Sequence, residues 1–274
     1  MNNLSIVCFI ANLQGRGVHR CKNFLKSLRS QKDTDLDPEI IIVNCSNDGS
    51  FEEVDSYCKE YKVKHIFSKL KSPVWNKGIA INYGIKQSNY DFVMGTDVDY
   101  IFQDNFLNVV QKRADSNKFL LCHVYMSKPK HEGLFVDYDE NDFLKIVDES
   151  YFFGRDIADG ACQLTGKKWF VKNRGYNEAI FMWGGMDNEI HRVATLSGLR
   201  EDWIDNETTI LHQFHVDCKR GKPPNKDYLK YGRKYRNVNF KIVNRQEASK
   251  KILSRNVGKW GELEVSLVND YTGL

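Results

Sequence analysis

The 274-residue chain has no run of about 18 apolar residues, the length that a membrane-crossing helix needs. Its N-terminus, "MNNLSIVCFIANLQGR", lacks the charged n-region and the cleavage-like site of a signal peptide, so no leader is expected. There is no CxxC pair among Cys8, Cys21, Cys45, Cys58, Cys122, Cys162 and Cys218. Their odd number, and the apolar runs that hold several of them, argue against a disulfide scaffold and for a reducing compartment. Repeats, low-complexity segments and an obvious interdomain linker are missing as well. The formal net charge of +4 is too small to imply a nucleic-acid partner. That charge is uneven, however: "CKRGKPPNKDYLKYGRKYR" (218–236) is strongly basic. It suits either a solvated surface or a face for phosphate or glycan, and it leaves peripheral membrane association open. The expected location is cytoplasmic.

What is present is ordinary for a globular protein: 41% hydrophobic and 28% charged residues, in a length that suits one large domain or two small ones. "LSIVCFIA" (4–11), "EIIIVNCSNDGS" (39–50), "VKHIF" (63–67) and "YDFVMGTDVD" (90–99) read as strands. Residues 18–30, 51–61 and 76–88 read as the helices between them, the first with Phe24, Leu25 and Leu28 on one face. This alternation predicts a parallel α/β sheet, in which ligands bind beyond the carboxyl ends of the strands. Further on, 120–129 is strand-like and 130–158 is an acidic loop or lid with a short helix. Residues 160–176 suggest a strand followed by a helix, 183–198 a Gly-Gly turn opening a helix, and 207–218 a strand ending in histidines. Residues 240–274 give only a weak helical pattern.

Asp97 and Asp99 end an apolar run, one residue apart, where strand alternation would send both to one side. Buried acids need a partner. Lysines or a helix start could supply one, and so could a cation. His212 and His215, three apart at the end of another strand, make a mixed nitrogen and oxygen metal site plausible, suited to Mn²⁺ or Mg²⁺ with a diphosphate ligand completing the shell. In "WGGMDNE", Gly184 and Gly185 permit close backbone approach to a ligand and Trp183 offers a flat face for a sugar ring. Asp187, at a helix start, serves either as a cap or as a general base. Glu189 and Arg192, three apart, are expected to pair beside it.

Taken in order, Asp97-Val98-Asp99, the upstream "WNKGIAINYGI" (75–85), the "WGGMDNE" block and the closing "HQFH" resemble glycosyltransferases of the GT-A fold. "WNKGIAINYGI" and residues 159–190 are similar to segments of the β-1,4-galactosyltransferases, and Asp-Asn-Glu followed by Arg192 is similar to bacterial family 2 enzymes. The likeness spans about residues 4–220. It implies a Rossmann-like, mostly parallel sheet flanked by helices, with a catalytic domain over 1–239 and a C-terminal extension over 240–274. The donor half of that domain would be about 1–100 and the acceptor half 101–239. It further implies a UDP-sugar donor, a glycan or glycolipid acceptor, and Mn²⁺ or Mg²⁺ on Asp99, His215 and His212. Asp97 would contact the donor ribose or sugar, Asn44 and Asp48 would lie near the uracil, and Lys77 would lie near the donor. Trp183, Gly184 and Gly185 would line the sugar and acceptor site. With Asp187 as base, an inverting hexosyl or N-acetylhexosaminyl transfer follows. The alternatives are a retaining enzyme like the polypeptide N-acetylgalactosaminyltransferases, a sugar- or nucleotide-binding protein without catalysis, and a nucleotidyltransferase. The last lacks its Gly-rich loop, to which "NLQGRG" is only an approximation. Met186 stands where these families carry Glu, and Asn44-Cys45 replaces their acid after the second strand.

Overall fold

The computed structural model describes residues 3–11, 17–69, 74–154, 160–182, 184–215 and 226–273. Its first part alternates as the sequence suggests: β1 (Leu4–Ile10), α1 (Val18–Arg29), β2 (Glu39–Asn44), α2 (Phe51–Glu60), β3 (Lys64–Phe67), α3 (Lys77–Gln87) and β4 (Phe92–Asp97). Then follow β5 (Tyr100–Phe102), α4 (Phe106–Arg113), β6 (Lys118–Leu121), β7 (Val124–Met126), α5 (Phe143–Glu149), β8 (Tyr151–Phe153), β9 (Gln163–Gly166) and α6 (Lys167–Lys172). The chain continues through α7 (Met186–Leu196), β10 (Arg200–Trp203), β11 (Ile210–His212), α8 (Lys226–Ser249) and β12 (Leu267–Asp270).

An eight-stranded sheet runs in the order β10-β6-β9-β4-β1-β2-β3-β12, with β9 and β12 antiparallel to their neighbours and the rest parallel. Both faces of its centre are covered, which is why β1 and β2 are apolar almost throughout. Alternation divides β1: Ile6, Cys8 and Ile10 enter one core with Phe24, Leu25 and Leu28 of α1, while Val7 and Phe9 enter another with Ile81 of α3 and Ile190 of α7. A second sheet, β5-β11-β7-β8, stands beside the first. No helix among the described residues is long and apolar enough to cross a membrane.

Two segments differ from the sequence reading. The acidic stretch after β7 is built rather than loose: Phe135, Tyr138, Phe143, Ile146 and Val147 form an apolar cluster of their own on Ile101 and Leu211 of the second sheet. Helical pattern after residue 240 holds only to Ser249, and the chain then ends in β12, which pairs antiparallel with β3 as an edge strand. An added edge strand can be short and half polar because only one face is packed, so it leaves little apolar signal.

Candidate active site

The sheet brings Asp97, Asp99, Lys77 and Asp187 to one edge, beyond the carboxyl ends of the central strands. β4 ends at Asp97, and Asp99 lies in the turn before β5, so the two acids diverge to different partners instead of sharing one face as regular alternation would give.

Lys77 is the hub of the first cluster. Asn76 caps α3, its side chain accepting from the Ile79 amide at 3.0 Å and donating to the Glu178 carbonyl at 2.7 Å. That cap sets Lys77 at the first helical position, where its Nζ reaches Asp97 at 2.8 Å and Asp187 at 3.2 Å. Burial alone would lower the Lys77 ammonium, but Asp187 and Asp97 outweigh it and hold it above its ordinary value. Burial likewise pushes the Asp97 carboxyl upward, against the pull of Lys77 and with repulsion from Asp187 added. Gly185 precedes α7 with φ 89°, a left-handed conformation that suits glycine, and so turns Asp187 into the cleft from the first turn of the helix. Gly184, at φ 94°, packs against Phe240 of α8. Gly160 lies over the whole cluster: a Cβ there would fall 2.6 Å from Asp97, 3.0 Å from Lys77 and 3.2 Å from Asp187.

The second cluster is Asp99 with His212, the last residue of β11, and His215 just beyond it. One ligand atom from each lies within 4.8 Å of the others, a carboxylate and two imidazoles whose chemistry fits a divalent cation. His215 Nε2 is 3.3 Å from Asp99 Oδ2. Burial pushes the His212 imidazole down to about 4, more than Asp99 raises it, so its lone pair is available near neutrality. Burial would raise the Asp99 carboxyl, yet Arg20 foremost, then His215, hold it well below the usual carboxylate range. Arg20, 2.5 Å from Asp99, is a site residue that the sequence reading missed: on α1 it is one cation among several.

Asn44 is fully buried, and its amide is engaged. Its Oδ1 accepts from the Ser46 amide at 3.0 Å and the Ser46 hydroxyl at 2.5 Å, while Nδ2 faces His65 Nε2 at 3.3 Å. Asn44 thus shapes the turn after β2. Asp48 accepts from the Ser50 amide and hydroxyl, at 3.1 and 2.6 Å, where α2 begins. Neither touches the Lys77 cluster. Trp183 and residues 218–225 of the basic segment lie outside the described residues, and the rest of that segment opens α8.

Glu189 does not pair with Arg192. It is fully buried and meets Arg255 at 2.6 Å, and Arg255 also donates to the carbonyls of Asn173 and Gly175. Arg192 reaches Glu247 of α8 at 2.7 Å instead. Both partners come from the far end of the chain, beyond the reach of helical spacing. A last support is Gln163, whose amide donates toward the Asp187 carbonyl at 3.4 Å while its oxygen accepts from the Tyr176 hydroxyl at 2.8 Å.

A mostly parallel α/β sheet with acids and a metal-capable cluster at its carboxyl edge defines a GT-A type glycosyltransferase fold. The family model "Glycosyl transferase family 2" matches residues 19–172, and the chain belongs to that family. An uncharacterized glycosyltransferase of Rickettsia bellii (strain RML369-C) is 23% identical over 171 residues, 57% of this chain and 24% of the relative. The chain therefore spans about a quarter of the length of that relative. TarS 1–349 of S. aureus, solved with UDP, superposes with a TM-score of 0.59 at 15% identity, over 94% of this chain and 67% of the other. The mannosyltransferase PcManGT of Pyrobaculum calidifontis, solved with GDP-Man and Mn²⁺, gives 0.54 at 15% identity, over 77% and 56%.

Proposed function

We propose that this chain transfers a hexose or N-acetylhexosamine from a UDP-sugar to a hydroxyl of a glycan or glycolipid acceptor, with inversion at the anomeric carbon. The observation that carries the proposal is the Lys77 bridge, which fixes Asp187 and Asp97 in one cleft beside Asp99, His212 and His215. Lys77 grips Asp187 through Oδ1 and leaves its other oxygen for an incoming hydroxyl. Asp187 then takes the acceptor proton as the new bond forms, the role a single displacement requires of a general base. Asp97, held from the other side of Lys77, is placed to receive donor sugar or ribose hydroxyls. The turn shaped by Asn44, at the end of β2, is the place for the base. Asp99, His212 and His215 would hold Mn²⁺ in preference to Mg²⁺, given two imidazoles, and the bound ion would stabilise charge on the leaving diphosphate. TarS, solved with UDP, and PcManGT, solved with Mn²⁺, support a nucleotide-sugar donor and a metal.

The test is donor hydrolysis across a panel of nucleotide sugars with Mn²⁺ and with EDTA, followed by transfer once the donor is known. Metal-dependent release of UDP from one sugar is the expected result. Asp187→Asn should then keep UDP affinity within about twofold and lose about 10²–10⁴ in kcat for transfer. Silence across the panel, together with no UDP binding by calorimetry in Mn²⁺, would sink the reading.

A further inference from the structure

The metal-capable cluster already has a cation in it. Arg20 Nη1 lies on Asp99 Oδ1 at 2.5 Å and His215 Nε2 lies 3.3 Å from Oδ2, so both oxygens of its one carboxylate are engaged. The Arg20 side chain is 10% exposed, and its Nε is buried without a hydrogen-bond partner among the described residues. The Arg20 backbone is fixed, its carbonyl accepting from Gln213 at 3.1 Å while the Gln213 amide donates to the Asp99 carbonyl at 2.8 Å. Releasing Asp99 would thus need a turn of the Arg20 side chain and no shift of its backbone. Charge points the same way. Among the described residues, Asp97, Asp99 and Asp187 face Lys77 and Arg20, three acids against two bases. A divalent cation arriving alone would make a desolvated pocket positive, next to a guanidinium that shares its carboxylate ligand. A diphosphate arriving with it restores the balance and offers the oxygens that a planar guanidinium fork binds best.

We infer that Arg20 couples the divalent cation to the donor diphosphate: without donor it occupies Asp99 and competes with the cation, and with donor it releases Asp99 and turns its N–H groups, Nε among them, to a diphosphate oxygen. The inference rests on the nucleotide-diphosphate donor proposed above. It makes cation and nucleotide binding mutually reinforcing, by one factor in both directions.

The experiment measures Mn²⁺ binding to the full chain by electron paramagnetic resonance of the free ion, with and without UDP, and UDP binding by calorimetry with and without Mn²⁺. In the wild type, UDP should tighten Mn²⁺ about tenfold or more, and Mn²⁺ should tighten UDP by the same factor. Arg20→Gln should bind Mn²⁺ alone about fivefold more tightly than the wild type, while the effect of UDP shrinks to about threefold or less. Arg20→Lys keeps the charge and loses the fork; it should retain weak Mn²⁺ binding without UDP and lose part of the UDP affinity, which covers the case in which the glutamine variant folds poorly. If Arg20→Gln binds Mn²⁺ no more tightly than the wild type in the absence of UDP, the coupling role is wrong while the donor reading stands. If the wild type binds neither Mn²⁺ nor UDP, the donor reading fails and this inference with it.

Discussion

Gly160 carries a requirement that no property of glycine in isolation reveals. It lies where the Asp97 carboxylate, the Lys77 ammonium and the Asp187 carboxylate converge, and a methyl group there would press on all three members of the Lys77 bridge, most on Asp97. Gly160→Ala should therefore leave melting within about 1–3 kcal/mol of the wild type, the usual cost of an added methyl in a packed site. It should lower kcat about 10²-fold, because a displacement of about 1 Å at reacting groups has that effect. Circular dichroism melts alongside donor turnover measure the two separately; full activity in the alanine variant would show that the cluster does not need this close approach. The contrast with the acids is instructive. Asp97, Asp99, Asp187, His212 and His215 are legible in the sequence because acids and imidazoles at the ends of apolar strands or at a helix start conflict with their surroundings, and a conflict asks for a ligand. Gly160 and Arg20 conflict with nothing local. Their roles are set by side chains that arrive from other elements, in the case of Arg20 from a turn 79 residues away.

Among the elements, α7 shows where local rules end. Its start, its left-handed Gly185 and the inward face of Ile190, Val193 and Ala194 follow from spacing and turn chemistry. The partners of its charges do not. An i, i+3 pair was the expectation for Glu189 and Arg192, yet Glu189 turns into the core, where Arg255 neutralises it and Asn177 donates to its other oxygen. Asn256, next in the chain, donates to the carbonyls of Arg174 and Tyr176, and Asn239 and Val243 of α8 pack on Gly185. The C-terminal segment thus fastens the helix that bears Asp187, which gives residues 240–274 a role that a weak helical pattern could not suggest. Removing one member of a buried ion pair strands the other. Arg255→Met should cost about 3–5 kcal/mol in urea unfolding, and Glu189→Gln with Arg255→Met together should recover part of it. Loss of less than about 1 kcal/mol from the single variant would mean that Glu189 reaches water and that the strap is not what holds α7.

For the molecule as a whole, the same C-terminal segment reaches the β3 edge of the sheet and ties it to the turn proposed above to receive the base. β12 sets Asn269 and Tyr271 on Asp55, each at 2.8 Å, and Asp55 takes His65 Nδ1 at 2.7 Å. Since Asn44 Oδ1 is used by Ser46, its Nδ2 donates to His65 Nε2, so the ring must stay neutral with a lone pair on Nε2. Burial lowers the His65 pKa accordingly, more than Asp55 raises it. The hydrogen bonds from Asn269, His65 and Tyr271 hold the Asp55 carboxyl down, although burial pushes the other way. Both groups bind protons less readily folded than unfolded, so both contribute stability that is complete above their unfolded values and is lost in acid. For His65 the loss begins as pH falls below about 6.5 and continues through its lower folded value; for Asp55 it begins below about 3.9. The expected result is a melting temperature that declines as the pH is lowered below about 6.5. His65→Asn should be less stable than the wild type at pH 8, with the gap narrowing as the pH is lowered toward 5, because only the wild type has this proton to take up. A gap that stays constant over that range would mean His65 is as readily protonated folded as unfolded, and the chain from β12 through Asp55 and His65 to Asn44 would have to be redrawn.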